Sequence, residues 1–114
     1  MTDILIVGGG VIGMLLAREL VKQSASVAIV DSGELGQEAS WAGGGIVSPL
    51  YPWTYSKSIT ALASWAQQAY PDLAQELAAE SGIDPEFNLC GLMMLDPPGK
   101  DDILDWASGN QKAV

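Results

Sequence analysis

A chain of 114 residues, 48% of them apolar and 17% charged, can bury one modest core and has a globular rather than a disordered composition. Five basic residues against fourteen acidic ones leave a net charge of −9, which repels a phosphate backbone and excludes nucleic acid as an expected partner. Histidine is absent, so imidazole acid–base and metal chemistry are excluded within these residues, and the single Cys90 has no partner for an intrachain disulfide.

Ile4-Leu5-Ile6-Val7 predicts a short strand buried on both faces. Gly8, Gly9 and Gly10 break it, and from Val11 to about Gln23 the residues Val11, Ile12, Leu15, Leu16, Leu20 and Val21 recur at helical spacing. Ser24 ends that helix, and Val27-Ala28-Ile29-Val30 predicts a second buried strand, parallel to the first through a right-handed crossover. Polar, turn-rich sequence follows from Asp31 to Glu38, then a second glycine cluster from Ala39 to Ile46, then a loop carrying Pro49 and Pro52. Helical periodicity returns at Ile59, Leu62, Trp65, Ala66 and Ala69, which assigns Trp65 to a core. Pro71 predicts the first turn of a separate helix through Leu73, Leu77 and Ala78, capped at Gly82. Phe87-Asn88-Leu89 and the run 92–95 predict a short β-hairpin bent at Cys90-Gly91, in which Met93 and Met94 pack. A last helix over 101–107 begins with acids, places Asp101, Asp102 and Asp105 on a solvated face, and stops at Ser108-Gly109-Asn110.

The chemistry-bearing pattern is Gly8-x-Gly10-x-x-Gly13 between a predicted strand and a predicted helix. Gly8 permits the tight turn, Gly10 lets the backbone approach a pyrophosphate, and Gly13 lets the helix pack close to the strands. The amides of Val11 and Ile12 then face the phosphate at the positive end of the helix. Asp31, at the end of the second strand, is placed to accept hydrogen bonds from an adenosine ribose and disfavours a 2′-phosphate. A glycine turn with no ligand is the bland alternative, and the flanking strands, helix and terminal acid argue against it. This is a Rossmann-type α/β start, a βαβ for FAD or NAD(P). By itself the fingerprint does not separate NAD from FAD. The second cluster of small residues, 39–46, favours FAD, because a flavin dinucleotide must be approached by backbone from a second loop.

Gly8 to Gly13, then Asp31-Ser32-Gly33, then Ala39-Ser40-Trp41-Ala42-Gly43-Gly44-Gly45-Ile46-Val47-Ser48-Pro49 with Leu50-Tyr51-Pro52-Trp53 resemble the start of the D-amino-acid-oxidase-like flavoproteins, the glycine oxidases of thiamine biosynthesis most of all. The resemblance implies that Gly8, Gly10, Val11, Ile12 and Gly13 hold the pyrophosphate and that Asp31 with Ser32 holds the ribose. It further implies that Ala39 and Ser40 lie along the phosphates and ribityl chain, and that Gly44, Gly45 and Ile46 border the isoalloxazine. Asp31 stands where Glu is commoner in that family.

The same resemblance implies an amino-acid oxidase taking glycine or a D-amino acid and O2 to an imino acid and H2O2. Sarcosine oxidase, D-amino-acid dehydrogenase and a non-catalytic nucleotide-binding module are the alternatives. Only the first third of such an enzyme is matched, so the expectation is an incomplete N-terminal fragment. Residues 1–50 would form the βαβ and flavin loop, and 51–114 the helices and the start of a substrate-domain hairpin. No catalytic residue is expected here: the family's substrate Arg lies further along, and Arg18, the one Arg, falls in the first helix. An unpaired edge on the first strand predicts a homo-oligomer. No apolar stretch is long enough to span a bilayer and no leader pattern is recognised, so a cytoplasmic protein acting on a small amino acid, without a membrane partner, is expected.

Overall fold

The structure, a computed structural model, describes residues 1–113. It divides into two compact units, Met1–Ile46 and Val47–Val114. The first unit contains strand β1 (Ile4–Val7), helix α1 (Val11–Lys22), strand β2 (Val27–Val30) and the single helical turn α2 (Ala39–Ala42). The strands pair in parallel, with Ile4 opposite Val27 and Val7 opposite Val30, as a strand–helix–strand unit requires. α1 ends at Lys22 because the chain turns there, with Ser24 taking a left-handed conformation at φ 66°.

The core of this unit is small. Ile6 of β1 and Ala17 of α1 are its buried apolar side chains. The expectation of strands buried on both faces is not met: Leu5 and Val7 alternate outward and Val7 is 82% exposed. One crossover helix covers one face of a two-stranded sheet, and successive side chains point to opposite faces.

In the second unit, a 3-10 turn (Pro52–Thr54) leads to the 25-residue helix α3 (Lys57–Ser81) and then α4 (Lys100–Gly109). α3 corrects the expectation of two helices, since Pro71 lies inside it. Proline removes one backbone donor and disfavours a helix interior. Ala, Leu and Gln before it, and Ala, Leu, Gln and Glu after it, propagate the helix through that fault. The expected core placement of Trp65 also fails. It is 68% exposed, in line with exposed Ile59 and Leu62, because no described element packs on that stripe. The predicted hairpin is absent too, and residues 83–94 carry no strand. Leu89, Met93 and Leu95 point into solvent, and Glu86, Gly91 and Asp96 adopt left-handed φ values that interrupt extension. A strand pattern forms a strand only where a second strand satisfies its backbone.

α4 packs against the 3-10 turn, and its Ala107 is 1% exposed. Lys112 Nζ donates to Gln67 Oε1 at 2.9 Å and Gln67 Nε2 donates to Ser48 Oγ at 2.9 Å, tying three distant segments of this unit together. Asp101, Asp102 and Asp105 are exposed, as their pattern indicates.

Gly82 caps α3 in the left-handed conformation at φ 71°, donating its N–H to the Ala78 carbonyl. Gly82→Ala is expected to lower unfolding stability by about 1 kcal/mol, since a Cβ is disfavoured there. Gly109→Ala, inside α4 with no atom within 4 Å of the new Cβ, should instead be neutral or gain about 0.5 kcal/mol. Urea unfolding of the two variants checks the opposite signs.

Candidate functional site

The end of β1, the start of α1 and the end of β2 meet at one turn. Gly8, at φ 109°, redirects the chain out of β1, and its N–H donates to the Val30 carbonyl at 2.8 Å, extending the parallel ladder by one step. Gly10 is the cap residue of α1 and has no side chain to satisfy the helix's first amides. Gly13 explains why α1 lies so close to β1. A Cβ there would overlap the Gly8 carbonyl oxygen and stand 3.4 Å from Ile6 Cγ2.

Two segments distant in sequence close on this turn. The Asp31 carboxylate accepts the Gly9 N–H at 2.7 Å through one oxygen and the Gly33 N–H at 3.0 Å through the other. These bonds, Gly9 first, hold its carboxyl below the usual carboxylate range, with a small opposing push from desolvation and further help from Ser32. From the other side, Ser40 of α2 accepts the Val11 N–H on its Oγ at 2.8 Å. Gly36 donates its N–H to the Gly9 carbonyl at 2.9 Å.

Of the residues singled out by sequence, Gly8, Gly10, Val11, Ile12, Gly13, Asp31, Ser32, Ala39 and Ser40 are thus gathered within one corner of Met1–Ile46. Gly44, Gly45 and Ile46 run out of it, with no atom within 4 Å of a Cβ built on either glycine and Ile46 exposed. Trp41 is also exposed rather than packed. Gly9 and Leu35 are participants that motif reading passes over. Gly9 is buried and is the partner of Asp31, and a Cβ on it would overlap the Leu35 side chain. The fingerprint treats that middle position as any residue; its glycine was the available signal.

The polar side chains of this corner are the Asp31 carboxylate and the Ser32 and Ser40 hydroxyls. Arg18 pairs with its neighbour Glu19 at 2.8 Å. In the second unit, Tyr51 packs edge-on against Trp53 and Tyr70 stacks on Phe87. No group of three or more potential metal ligands occurs among the described residues. No helix among them is long and apolar enough to cross a membrane. What the corner offers is backbone amides, one ionised carboxylate and space: an anion-receiving, hydroxyl-accepting surface.

The sequence model of a family described as FAD dependent oxidoreductase matches residues 3–113. A glycine oxidase of Pseudomonas putida is 50% identical over 112 residues, which are 98% of this chain and 31% of that protein. A bifunctional protein ThiO/ThiG of Synechocystis is 30% identical over 93 residues, 81% of this chain and 14% of that protein. Among solved structures, glycine oxidase from Bacillus cereus superposes with a TM-score of 0.78 at 29% identity, covering 97% of this chain and 30% of that one. The chain therefore spans less than a third of the length of the glycine oxidases it matches.

Proposed function

We propose, since this chain belongs to the FAD dependent oxidoreductase family, that its first unit receives FAD and that it forms the cofactor-binding start of an amino-acid oxidase. In this reading residues 1–50 are the βαβ and flavin loop, and 51–114 are the helices that lead toward the substrate side. Gly8, Gly10, Val11, Ile12 and Gly13 would line the pyrophosphate, and Asp31 with Ser32 would hold the adenosine ribose. Ala39 and Ser40 would follow the phosphates and ribityl chain, and Gly44, Gly45 and Ile46 would border the flavin ring.

The observation that carries the reading is the convergence of the α1 amides, the Asp31 carboxylate and the Ser40 loop on one turn. The residues fit the group. Amides and a helix N-terminus suit a diphosphate, the carboxylate suits ribose hydroxyls, and the open space beside Gly44 and Gly45 leaves their backbone approachable. When bound, FAD supplies the hydride acceptor for oxidising an amine; these residues hold and orient it.

Glycine is the substrate this reading favours, from the names of the Pseudomonas putida and Bacillus cereus relatives, with thiamine biosynthesis supported by the Synechocystis relative. A small amino acid as partner, a cytoplasmic setting and self-association complete it. The last is supported by the exposed apolar residues Leu5, Val7 and Val30 of the β1–β2 pair.

Titration of the cofactor-free protein with FAD, followed by the flavin absorption and fluorescence, is the test. Saturable binding that NAD does not displace is expected, with H2O2 released on adding glycine to the intact enzyme. Binding of NAD without flavin would overturn the reading.

A further inference from the structure

We infer that Ser40 is the N-terminal cap of α1, supplied from 29 residues away, and that it sets the phosphate-facing turn before any cofactor arrives; this rests on the FAD reading above. An α-helix begins with amides that no carbonyl within it can satisfy, and a side-chain oxygen at the cap position ordinarily serves one of them. Gly10 occupies that position and has no side chain, and α1 has no acidic residue in its first turn. Nor can Gly10 be exchanged for a self-capping residue without cost, because its Cβ would stand 3.1 Å from Ser40 Oγ. The capping oxygen therefore comes from the second glycine cluster: Val11 N–H to Ser40 Oγ, 2.8 Å.

Two consequences separate this role from a simple contact with the cofactor. Val11 already has its acceptor, whereas the next two amides, those of Ile12 and Gly13, meet none among the described residues. In the FAD reading the amides of Ile12 and Gly13 are then the ones open to the diphosphate, with Val11 beside them held in place by Ser40. The same bond fastens α2, and with it the start of the 39–46 loop, to the first turn of α1. Ser40 is a positioning residue that registers the loop against the fingerprint.

Amide hydrogen exchange on the intact, cofactor-free protein tests this, with FAD titration alongside. In the wild type, Val11 should exchange slowly and Ile12 fast, and added FAD should slow Ile12 while changing Val11 little. Ser40→Ala should speed Val11 exchange about five- to tenfold, the ordinary worth of a cap, and weaken FAD binding by a similar factor. Ser40→Thr, which keeps the hydroxyl, should restore both. Equal exchange of Val11 and Ile12 in the wild type overturns the inference and needs no variant to fold. Weakened FAD binding in Ser40→Ala with Val11 exchange unchanged also overturns it, leaving Ser40 as a direct cofactor contact. Absence of FAD binding by the wild type sinks the functional reading instead, while the contrast between Val11 and Ile12 in the cofactor-free protein stands or falls by itself.

Discussion

Gly13→Ala is expected to lower the melting temperature by about 10 °C and to remove FAD binding with it. Two effects compete at this position. Alanine is the better helix former by about 1 kcal/mol, so in an open helix the substitution would stabilise. Here the added Cβ overlaps the Gly8 carbonyl oxygen and comes 3.1 Å from its carbon. Those are backbone atoms, and Gly8 is held in turn by its bond to the Val30 carbonyl. No side chain can swing aside, so α1 must lift from β1, at a net cost of about 2–3 kcal/mol. Lifting α1 displaces its first amides from the turn, which couples stability to cofactor binding. Gly44→Ala is the control. Its Cβ meets nothing within 4 Å, so stability should change by no more than about 0.5 kcal/mol. Any loss of FAD affinity in that variant would report a flavin lying against the loop. A melting temperature for Gly13→Ala at or above that of the wild type would contradict the packing account.

Asp31→Asn should weaken FAD binding about tenfold or more and remove part of the protein's sensitivity to acid. A carboxylate accepts through both oxygens, and Asp31 uses one for Gly9 and the other for Gly33. Asparagine keeps one acceptor and turns an NH2 donor toward the second amide, so the glycine turn loses a tether and, in the proposed FAD reading, the ribose would lose an ionic acceptor. The sign of the pH effect follows from the lowered pKa. The stabilisation is present above the ordinary carboxylate value and is lost as pH falls through the lower folded-state value. Wild type and Asp31→Asn should therefore differ at neutral pH and converge in acid, as melts from about pH 7 to about pH 2.5 would reveal. The carboxylate is exposed, so added salt should narrow the gap. Asp31→Glu, which keeps the charge, should retain most of the cofactor affinity. Parallel curves for the wild type and Asp31→Asn would mean that the two amide bonds do not form in solution.

The strand–helix–strand start was legible residue by residue. Ile4–Val7 and Val27–Val30 form strands over the predicted residues, and α1 begins at Val11 as expected. Apolar runs and a 3.6-residue period are local signals, and a parallel pair joined by a helix has one usual hand. Gly82 and Asn110 likewise stand at the ends of α3 and α4, because end signals act within a turn. The failures share a different cause. Pro71 predicts a break that a long helix-favouring segment overrides, and the strand-like 87–95 stays unpaired. Trp65 has a core residue's spacing without an element to cover it. Each depends on what packs against the segment, which periodicity does not encode.

The same division runs through the site. Sequence alone singled out Gly8, Gly10, Gly13 and Asp31 as one turn with the spacing of a dinucleotide fingerprint, because that spacing falls along one strand–helix–strand unit. It also marked 39–46 as a second backbone-rich loop. Only the tertiary structure decided which groups meet: Asp31 with Gly9, and Ser40 with Val11, across 22 and 29 residues. A hydroxyl or carboxylate in a polar stretch has many possible partners in an extended chain. The one it takes is fixed when β1 and β2 align and the turn between β1 and α1 brings its amides within reach.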